Sequence, residues 1–261
     1  MSSKLEKSTR MEGRTALVTG ASRGIGEAIA TSLAAAGATV VLSSRKEPGL
    51  VAARDRILAR LPEAYLRVEP CHVGHAHDIA ALFERLDGAG LVVDALVNNA
   101  GTNPYFGPML GADAAAWDKT FDVNLRGPFE LSRQAALRLI AAEQPGAIVN
   151  ISSIFGFRAA PFQGIYGMTK AALISLTKTL AMEWGGAGIR VNAIAPGLVE
   201  TRLSGMLLGN EDILAQYNER TALGRHAQPD EIAGMVLTLL SDESSYTTGQ
   251  VIALDGGWLI G

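Results

Sequence analysis

Seven short runs rich in valine, isoleucine and leucine recur along this chain, separated by longer stretches with helical periodicity. No other feature limits the fold as much. TALVT (15–19), ATVVLS (38–43), AYLRVE (64–69), DALVNN (94–99), GAIVNIS (146–152), IRVNAIA (189–195) and QVIALD (250–255) read as strands. Their continuous apolar character suits parallel strands covered on both faces. Helical stretches lie between them at 24–36, about 47–60, 77–87, 113–142 with a break, 166–184 and 229–240. This succession predicts an α/β fold, a doubly wound parallel sheet of about seven strands with helices on both faces.

With 261 residues and no linker or repeat, the pattern reads as one domain over 13–261, preceded by a flexible tail over 1–12. That tail lacks the apolar core of a signal peptide, and no run approaches the ~18 residues of a membrane span. A net charge of -3 gives no basic footprint, so neither nucleic acid nor an anionic membrane is expected as partner. Cys71 is the only cysteine, which excludes an internal disulfide and fits a reducing, cytoplasmic setting. Two segments interrupt the alternation: GTNPYFGPMLGA (101–112) and residues 197–228, the latter a candidate lid. Both follow strand C-terminal ends, where open α/β sheets bind ligands.

The first strand runs into TGASRGIG (19–26), whose Gly20, Gly24 and Gly26 allow a tight turn and close approach to a diphosphate at a helix N-terminus. An NAD site usually carries an acid at the end of the second strand, about 20 residues on. Here the stretch reads Ser43-Ser44-Arg45-Lys46, and Arg45 with Arg23 would clamp a 2′-phosphate. NADP(H) is therefore favoured, with NAD(H) left open. In YGMTK (166–170), Tyr166 and Lys170 stand four apart and share a helix face. A nearby ammonium favours the phenolate, which brings a tyrosine toward acid–base work near neutrality.

TGASRGIG, NNAG (98–101), Asn124, Ser153, YGMTK and PGLVET (196–201) occur in one order across residues 13–258, and together they resemble the short-chain dehydrogenases/reductases. Within that family VVLSSRK, CHVG, NPYFGPML, WDKTFDVN and APGLVETRLSGML look like the NADPH-dependent carbonyl/retinal reductases of dehydrogenase/reductase member 4 type. Those animal enzymes carry a peroxisomal address, which GGWLIG does not match.

The resemblance implies a Rossmann-type fold and a role for each motif residue. Tyr166 would exchange a proton with the substrate oxygen, and Ser153, thirteen residues earlier, would hold that oxygen. Lys170 would lower the phenol pKa and bind the nicotinamide ribose, and Asn124 would hold a relay water. Gly20, Ser22, Arg23, Gly24, Ile25 and Gly26 would cradle the diphosphate side, with Ser44 and Arg45 at the adenosine ribose. Val73 would meet the adenine, although His72 stands where the family often has an acid. Asn98, Ala100 and Gly101 would line the path between the two ribose groups. Pro196, Gly197, Val199 and Thr201 would support the nicotinamide. A homotetramer assembled through helices around 113–142 and 166–184 is also implied.

The substrate side offers Pro104, Tyr105, Phe106, Pro108 and Met109 after NNAG, Ile154 and Phe155 after the serine, and Leu203, Met206, Leu207 and Leu208 in the lid. Convergence of these would make a broad apolar pocket for a bulky ketone or aldehyde, or the corresponding alcohol. Phe106, Phe155, Leu203 and Met206, with Ser153 and Tyr166, are the candidate substrate contacts. Arg202 would meet an acidic substrate group or face water. Cys71, His72, His75, His77 and Asp78 include potential metal ligands, but a strand end, loop and helix start are expected to scatter them, so no metal is expected.

Two other functions compete with an NADP(H)-dependent carbonyl reductase or alcohol dehydrogenase. A 3-oxoacyl-carrier-protein reductase would need a basic docking patch, for which only Arg126, Arg133 and Arg138 are available. A non-catalytic nucleotide-sensing protein on the same fold would not need the full Asn124, Ser153, Tyr166 and Lys170 set.

Overall fold

The computed structural model describes residues 11–261, apart from the side chain of Met206. Strands β1 (Thr15–Thr19), β2 (Thr39–Ser44), β3 (Leu66–Pro70), β4 (Ala95–Asn98), β5 (Gly146–Ile151), β6 (Ile189–Pro196) and β7 (Val251–Leu254) form one sheet in the order β3-β2-β1-β4-β5-β6-β7. Every neighbouring pair is parallel. Helices α1 (Gly24–Ala35), α2 (Glu47–Arg60), α3 (Ala76–Gly88), α4 (Ala114–Phe121), α5 (Gly127–Ala141), α6 (Gly164–Trp184), α7 (Gly205–Leu208), α8 (Glu211–Arg220) and α9 (Asp230–Leu240) complete the described elements, with short 3-10 turns between some of them.

Alternate strand residues point to opposite faces, and both faces are covered. Ala16 and Val18 pack with Ile29 and Leu33 of α1, Leu50 and Ile57 of α2, and Val236 and Leu240 of α9. Leu17, Leu96 and Ile148 pack with Phe83 and Leu86 of α3, Leu131 and Leu139 of α5, and Leu180 of α6. This double burial explains why the strands read as unbroken apolar runs. The seven-stranded, doubly wound sheet matches the expectation, with boundaries displaced by a residue or two.

Three local features add to the sequence reading. The expected tail over 1–12 lies mostly outside the described residues, but Met11 is fully buried and its N–H donates to the Ala36 carbonyl at 2.8 Å. The packed domain thus includes Met11. The break in the 113–142 helix is a π-helical turn over Asp122–Arg126. The candidate lid contains α7 and α8, the latter capped by the Asn210 side chain, which accepts from the Ile213 N–H.

Strand order reverses between β1 and β4, and the strands' C-terminal ends open onto one edge. Such a switch point is where doubly wound sheets leave a crevice.

Candidate active site

The crevice is a cavity of about 820 Å³ that runs from the glycine turn, past the ends of β4 and β5, to the lid. At its floor, Gly20 and Gly24 adopt φ of +67° and +59°, in the left-handed region that glycine tolerates. A Cβ at Gly26 would run into the Gly20 carbonyl and the Asn99 side-chain amide. The backbone there can therefore pass close to a bound group at the α1 N-terminus, where free N–H groups favour an anion. Thr19 braces the turn: its Oγ1 donates to the Val97 carbonyl at 3.1 Å and accepts from the N–H groups of Asn99 and Ala100.

Charge on the wall is one-sided. Arg23, Arg45, Lys46, Lys119, Lys170 and Arg202 line the cavity, and no aspartate or glutamate does. Arg23, Arg45 and Lys46 form no ion pair with any acid among the described residues. In a chain of net charge -3, this concentrates cationic groups where a polyanionic ligand would lie. The glycine cradle and these cations fit a dinucleotide carrying an additional phosphate.

Residues of β5, α6 and the π-helical turn converge beside the cavity. Ser153 is 7% exposed; its Oγ accepts from the Phe155 N–H at 3.2 Å, and its hydroxyl bonds the Tyr166 phenol. Ser152 also lines the cavity, but its hydroxyl donates to the Lys170 carbonyl at 2.9 Å. That bond separates the two serines, as the thirteen-residue spacing does. Lys170, 3% exposed, donates from Nζ to the Ile151 carbonyl at 2.7 Å.

Asn124 is fully buried in the π-helical turn. Its Oδ1 accepts from the Thr102 N–H at 2.8 Å, while Nδ2 donates to the Thr102 carbonyl at 2.9 Å and to Thr169 Oγ1 at 3.1 Å. A Cβ placed on Gly101 would lie 3.7 Å from both Asn124 Oδ1 and Lys170 Nζ, so amide and ammonium flank one point. A π-helical turn re-aims side chains in this way.

Burial pushes the Tyr166 phenol up to about 12, with the Ser153 hydroxyl pulling it down by less. Burial also pushes the Lys170 ammonium down to about 8. Burial and the Ser153 hydroxyl, rather than the expected pull of Lys170, set the phenol. Desolvation disfavours the charged form of both groups. At neutral pH the phenol carries its proton and can donate it.

The cavity brings together Gly20, Ser22, Arg23, Gly24, Ile25, Gly26, Ser44, Arg45, Val73, Ala100, Gly101, Ser153, Phe155, Tyr166, Lys170, Pro196, Gly197, Val199, Thr201 and Leu203. Three expected residues stand elsewhere. Asn98 lies in the core, donating from Nδ2 to Asn150 Oδ1 at 2.8 Å and to Ser132 Oγ at 3.0 Å. Asn99 lines the cavity in its place, because the strand ends between the two asparagines. Asn124 acts from behind the wall, through Thr102 and Thr169. Phe106 tilts against Phe162, with ring centres 5.9 Å apart, and does not line the cavity. The expectation for Met206 concerns a side chain outside the described residues.

Sequence reasoning missed Asn103, Gln163 and Tyr217, all of which line the cavity. Gln163 had a signal, since it stands one helical turn before Tyr166. The cavity also lacks Pro104, Tyr105, Pro108, Met109 and Leu208, so its substrate end is less apolar than expected.

The histidine-rich stretch is less scattered than expected. Ligand atoms of His75, His77 and Asp78 lie within 4.8 Å of one another. The Asp78 carboxylate faces His77 Nε2 at 2.8 Å and accepts from the His72 N–H at 3.3 Å. His72 lines the cavity beside Val73, and burial with neighbouring His75 and Arg45 holds its imidazole below the usual value.

Comparison with known proteins agrees with this geometry. The family model described as "Enoyl-(Acyl carrier protein) reductase" matches residues 20–259. Human dehydrogenase/reductase SDR family member 4 is 38% identical over 261 residues, covering 98% of this chain and 91% of the relative. The chain belongs to the short-chain dehydrogenase/reductase family. Another family member, the 3-oxoacyl-[acyl-carrier-protein] reductase of Aquifex aeolicus, is 39% identical, covering 95% of this chain and 98% of that protein. A gluconate 5-dehydrogenase from Burkholderia cenocepacia, solved in complex with NADP and tartrate, superposes with a TM-score of 0.92 at 32% identity, covering 98% of each chain. As a short-chain dehydrogenase/reductase, the protein is an oxidoreductase. No described helix is long and apolar enough to cross a membrane.

Proposed function

We propose that this short-chain dehydrogenase/reductase interconverts a small-molecule carbonyl compound and its alcohol with NADP(H). One observation carries the cofactor reading: the cavity has six cationic side chains and no carboxylate on its wall. An exposed, unpaired Arg45 beside Ser44 at the end of β2 suits a 2′-phosphate, where an acid would suit the hydroxyl of NAD(H). The NADP bound in the Burkholderia structure supports the same preference. NAD(H) is the alternative, and the two are separated by measuring kcat/KM with each on one substrate.

A bound nicotinamide would supply or accept the hydride. Ser153, whose hydroxyl meets that of Tyr166, holds the substrate oxygen between the two, and Tyr166, protonated at neutral pH, delivers a proton to it during reduction and removes one during oxidation. Lys170 binds the nicotinamide ribose, and Asn124 holds the Thr102 backbone at the cavity wall beside it. Gly20, Ser22, Arg23, Gly24, Ile25 and Gly26 bind the diphosphate side. Val73, Asn99, Ala100 and Gly101 flank the adenosine and ribose, and Pro196, Gly197, Val199 and Thr201 support the nicotinamide.

Phe155, Leu198, Leu203 and Leu207 give the substrate end an apolar wall, which supports a ketone or aldehyde with a hydrophobic body. The Aquifex relative keeps 3-oxoacyl-carrier-protein reduction as a second reading. A panel of ketones, aldehydes and acetoacetyl thioesters tests both. Turnover confined to the thioesters would replace the first reading with the second, and turnover of none would remove both. Phe129, Leu137 and Ile140 on α5 and Met182 on α6 are exposed, which supports a homotetramer formed through these helices. The single buried cysteine suits a cytoplasmic enzyme.

A further inference from the structure

The cavity wall beside Tyr166 also has a polar part. Gln163 is 7% exposed and opens α6. Its carbonyl accepts from the Gly167 N–H at 2.8 Å, yet its side chain makes no capping bond. Instead, Oε1 faces Asn103 Nδ2 at 3.5 Å, longer than the usual ~2.7–3.2 Å for this bond type. Both side chains line the cavity. The Gln163 amide N–H2 and the Asn103 amide oxygen have no partner among the described residues. Turning either amide over exchanges donor for acceptor but keeps hydrogen-bonding capacity open on both.

Both residues are firmly placed. Asn103 follows Thr102, whose N–H and carbonyl are both held by Asn124. Gln163, the N-cap of α6, stands three residues before Tyr166, and both line the cavity. A group bonded to both amides therefore lies in the same cavity that Tyr166 lines.

We propose that the Asn103–Gln163 pair reads a hydroxyl group one or two carbons from the reacting carbonyl. The substrate is then a hydroxyketone or hydroxyaldehyde, or the matching diol in the oxidative direction. A hydroxyl donates and accepts at once, so it complements two amides with open donor and acceptor capacity. A methyl group in its place leaves the buried Gln163 amide and the half-buried Asn103 amide without that partner, and sites built to bind a hydroxyl discriminate strongly against such analogues. The hydroxyl lies on the polar wall and the rest of the molecule against Phe155 and Leu203. This inference rests on the carbonyl/alcohol reading above.

The test compares near-isosteric pairs with NADPH and the full chain: phenacyl alcohol against propiophenone, and hydroxyacetone against butanone. Wild type is expected to favour each hydroxyketone by about tenfold or more in kcat/KM. Gln163→Leu and Asn103→Leu are each expected to bring that ratio near one, with propiophenone turnover and NADPH binding retained. Equal turnover of both members by wild type, or a ratio that neither variant changes, would overturn the inference while the carbonyl reading stands. Failure of wild type on all four compounds would overturn the carbonyl reading, and this inference with it.

Discussion

The Lys170 ammonium lies 5.5 Å from the centre of the Tyr166 ring. Its bond at 2.7 Å goes to the Ile151 carbonyl. Burial acts on the two groups in opposite directions, raising the phenol and lowering the amine. At neutral pH the phenol therefore holds its proton.

Replacing that proton tests the assignment most directly. Tyr166→Phe is expected to lower kcat for carbonyl reduction by about 10²–10⁴-fold, the usual weight of a positioned acid. NADPH affinity, read by fluorescence titration, should change little. Near-normal turnover in this variant would remove Tyr166 as the proton donor.

The same burial makes a prediction about stability. Lys170 titrates at about 8 when folded against 10.5 when free, so between those values the unfolded chain holds a proton that the folded one has shed. Stability therefore rises with pH through that window. Tyr166 acts in the opposite sense between 10 and about 12, where the folded chain keeps a proton that the unfolded one has lost. Lys170→Met should remove the rise between pH 8 and 10. It should also stabilise the cofactor-free protein at pH 7 by up to about 3 kcal/mol while activity is lost. Parallel thermal midpoints of wild type and variant across this range would refute the buried-charge account.

Arg45 is exposed and has no acid partner among the described residues, so its removal should cost the fold little. Arg45→Ala is expected to weaken NADPH by about 10–100-fold, the scale of one or two charge-assisted hydrogen bonds, and NADH by less than about threefold. Equal losses for both cofactors would show that Arg45 does not read the 2′-phosphate.

The two adjacent asparagines show what the sequence could and could not convey. Strands were legible because double burial writes a continuous apolar signature, and the glycine turn, Ser153, Tyr166 and Lys170 were legible because their chemistry fixes their spacing. Whether Asn98 or Asn99 faces the cavity depends on the residue where β4 ends, and no local pattern marks that point. Asn98 keeps the register opposite Asn150 and becomes a core strut. The Gln163–Asn103 wall and the removal of Phe106 depend on how two irregular loops meet, through Gly107 N–H and the Phe162 carbonyl at 3.0 Å. The convergence of His75, His77 and Asp78 likewise needed the α3 start to be folded. Asn98→Ala is accordingly expected to cost about 1–3 kcal/mol in chemical denaturation with NADPH affinity retained. Loss of cofactor affinity at unchanged stability would reinstate it as a cofactor contact.

The segment 197–228, the candidate lid, is held at one side by Tyr217 and Trp258. Tyr217 stacks on Trp258 with ring centres 6.0 Å apart, and its hydroxyl accepts from the Leu198 N–H at 2.7 Å. Arg220, from the end of the same helix, lies 4.0 Å above the Trp258 ring and donates to the carbonyls of Trp258 and Gly261. Trp258 also meets Phe155 edge-on at 6.1 Å, so the latch reaches the residue two positions after Ser153. Removing the indole should therefore loosen α8 and the apolar wall together, while the glycine turn stays intact. Trp258→Ala is expected to raise KM for the carbonyl substrate by about tenfold, leave NADPH affinity within about twofold, and speed proteolytic cleavage within 205–220. Tyr217→Phe, which leaves the Leu198 N–H without a partner but keeps the stack, should give a milder version of the same pattern. Unchanged cleavage and KM in both variants would mean that the lid is held by something other than this latch.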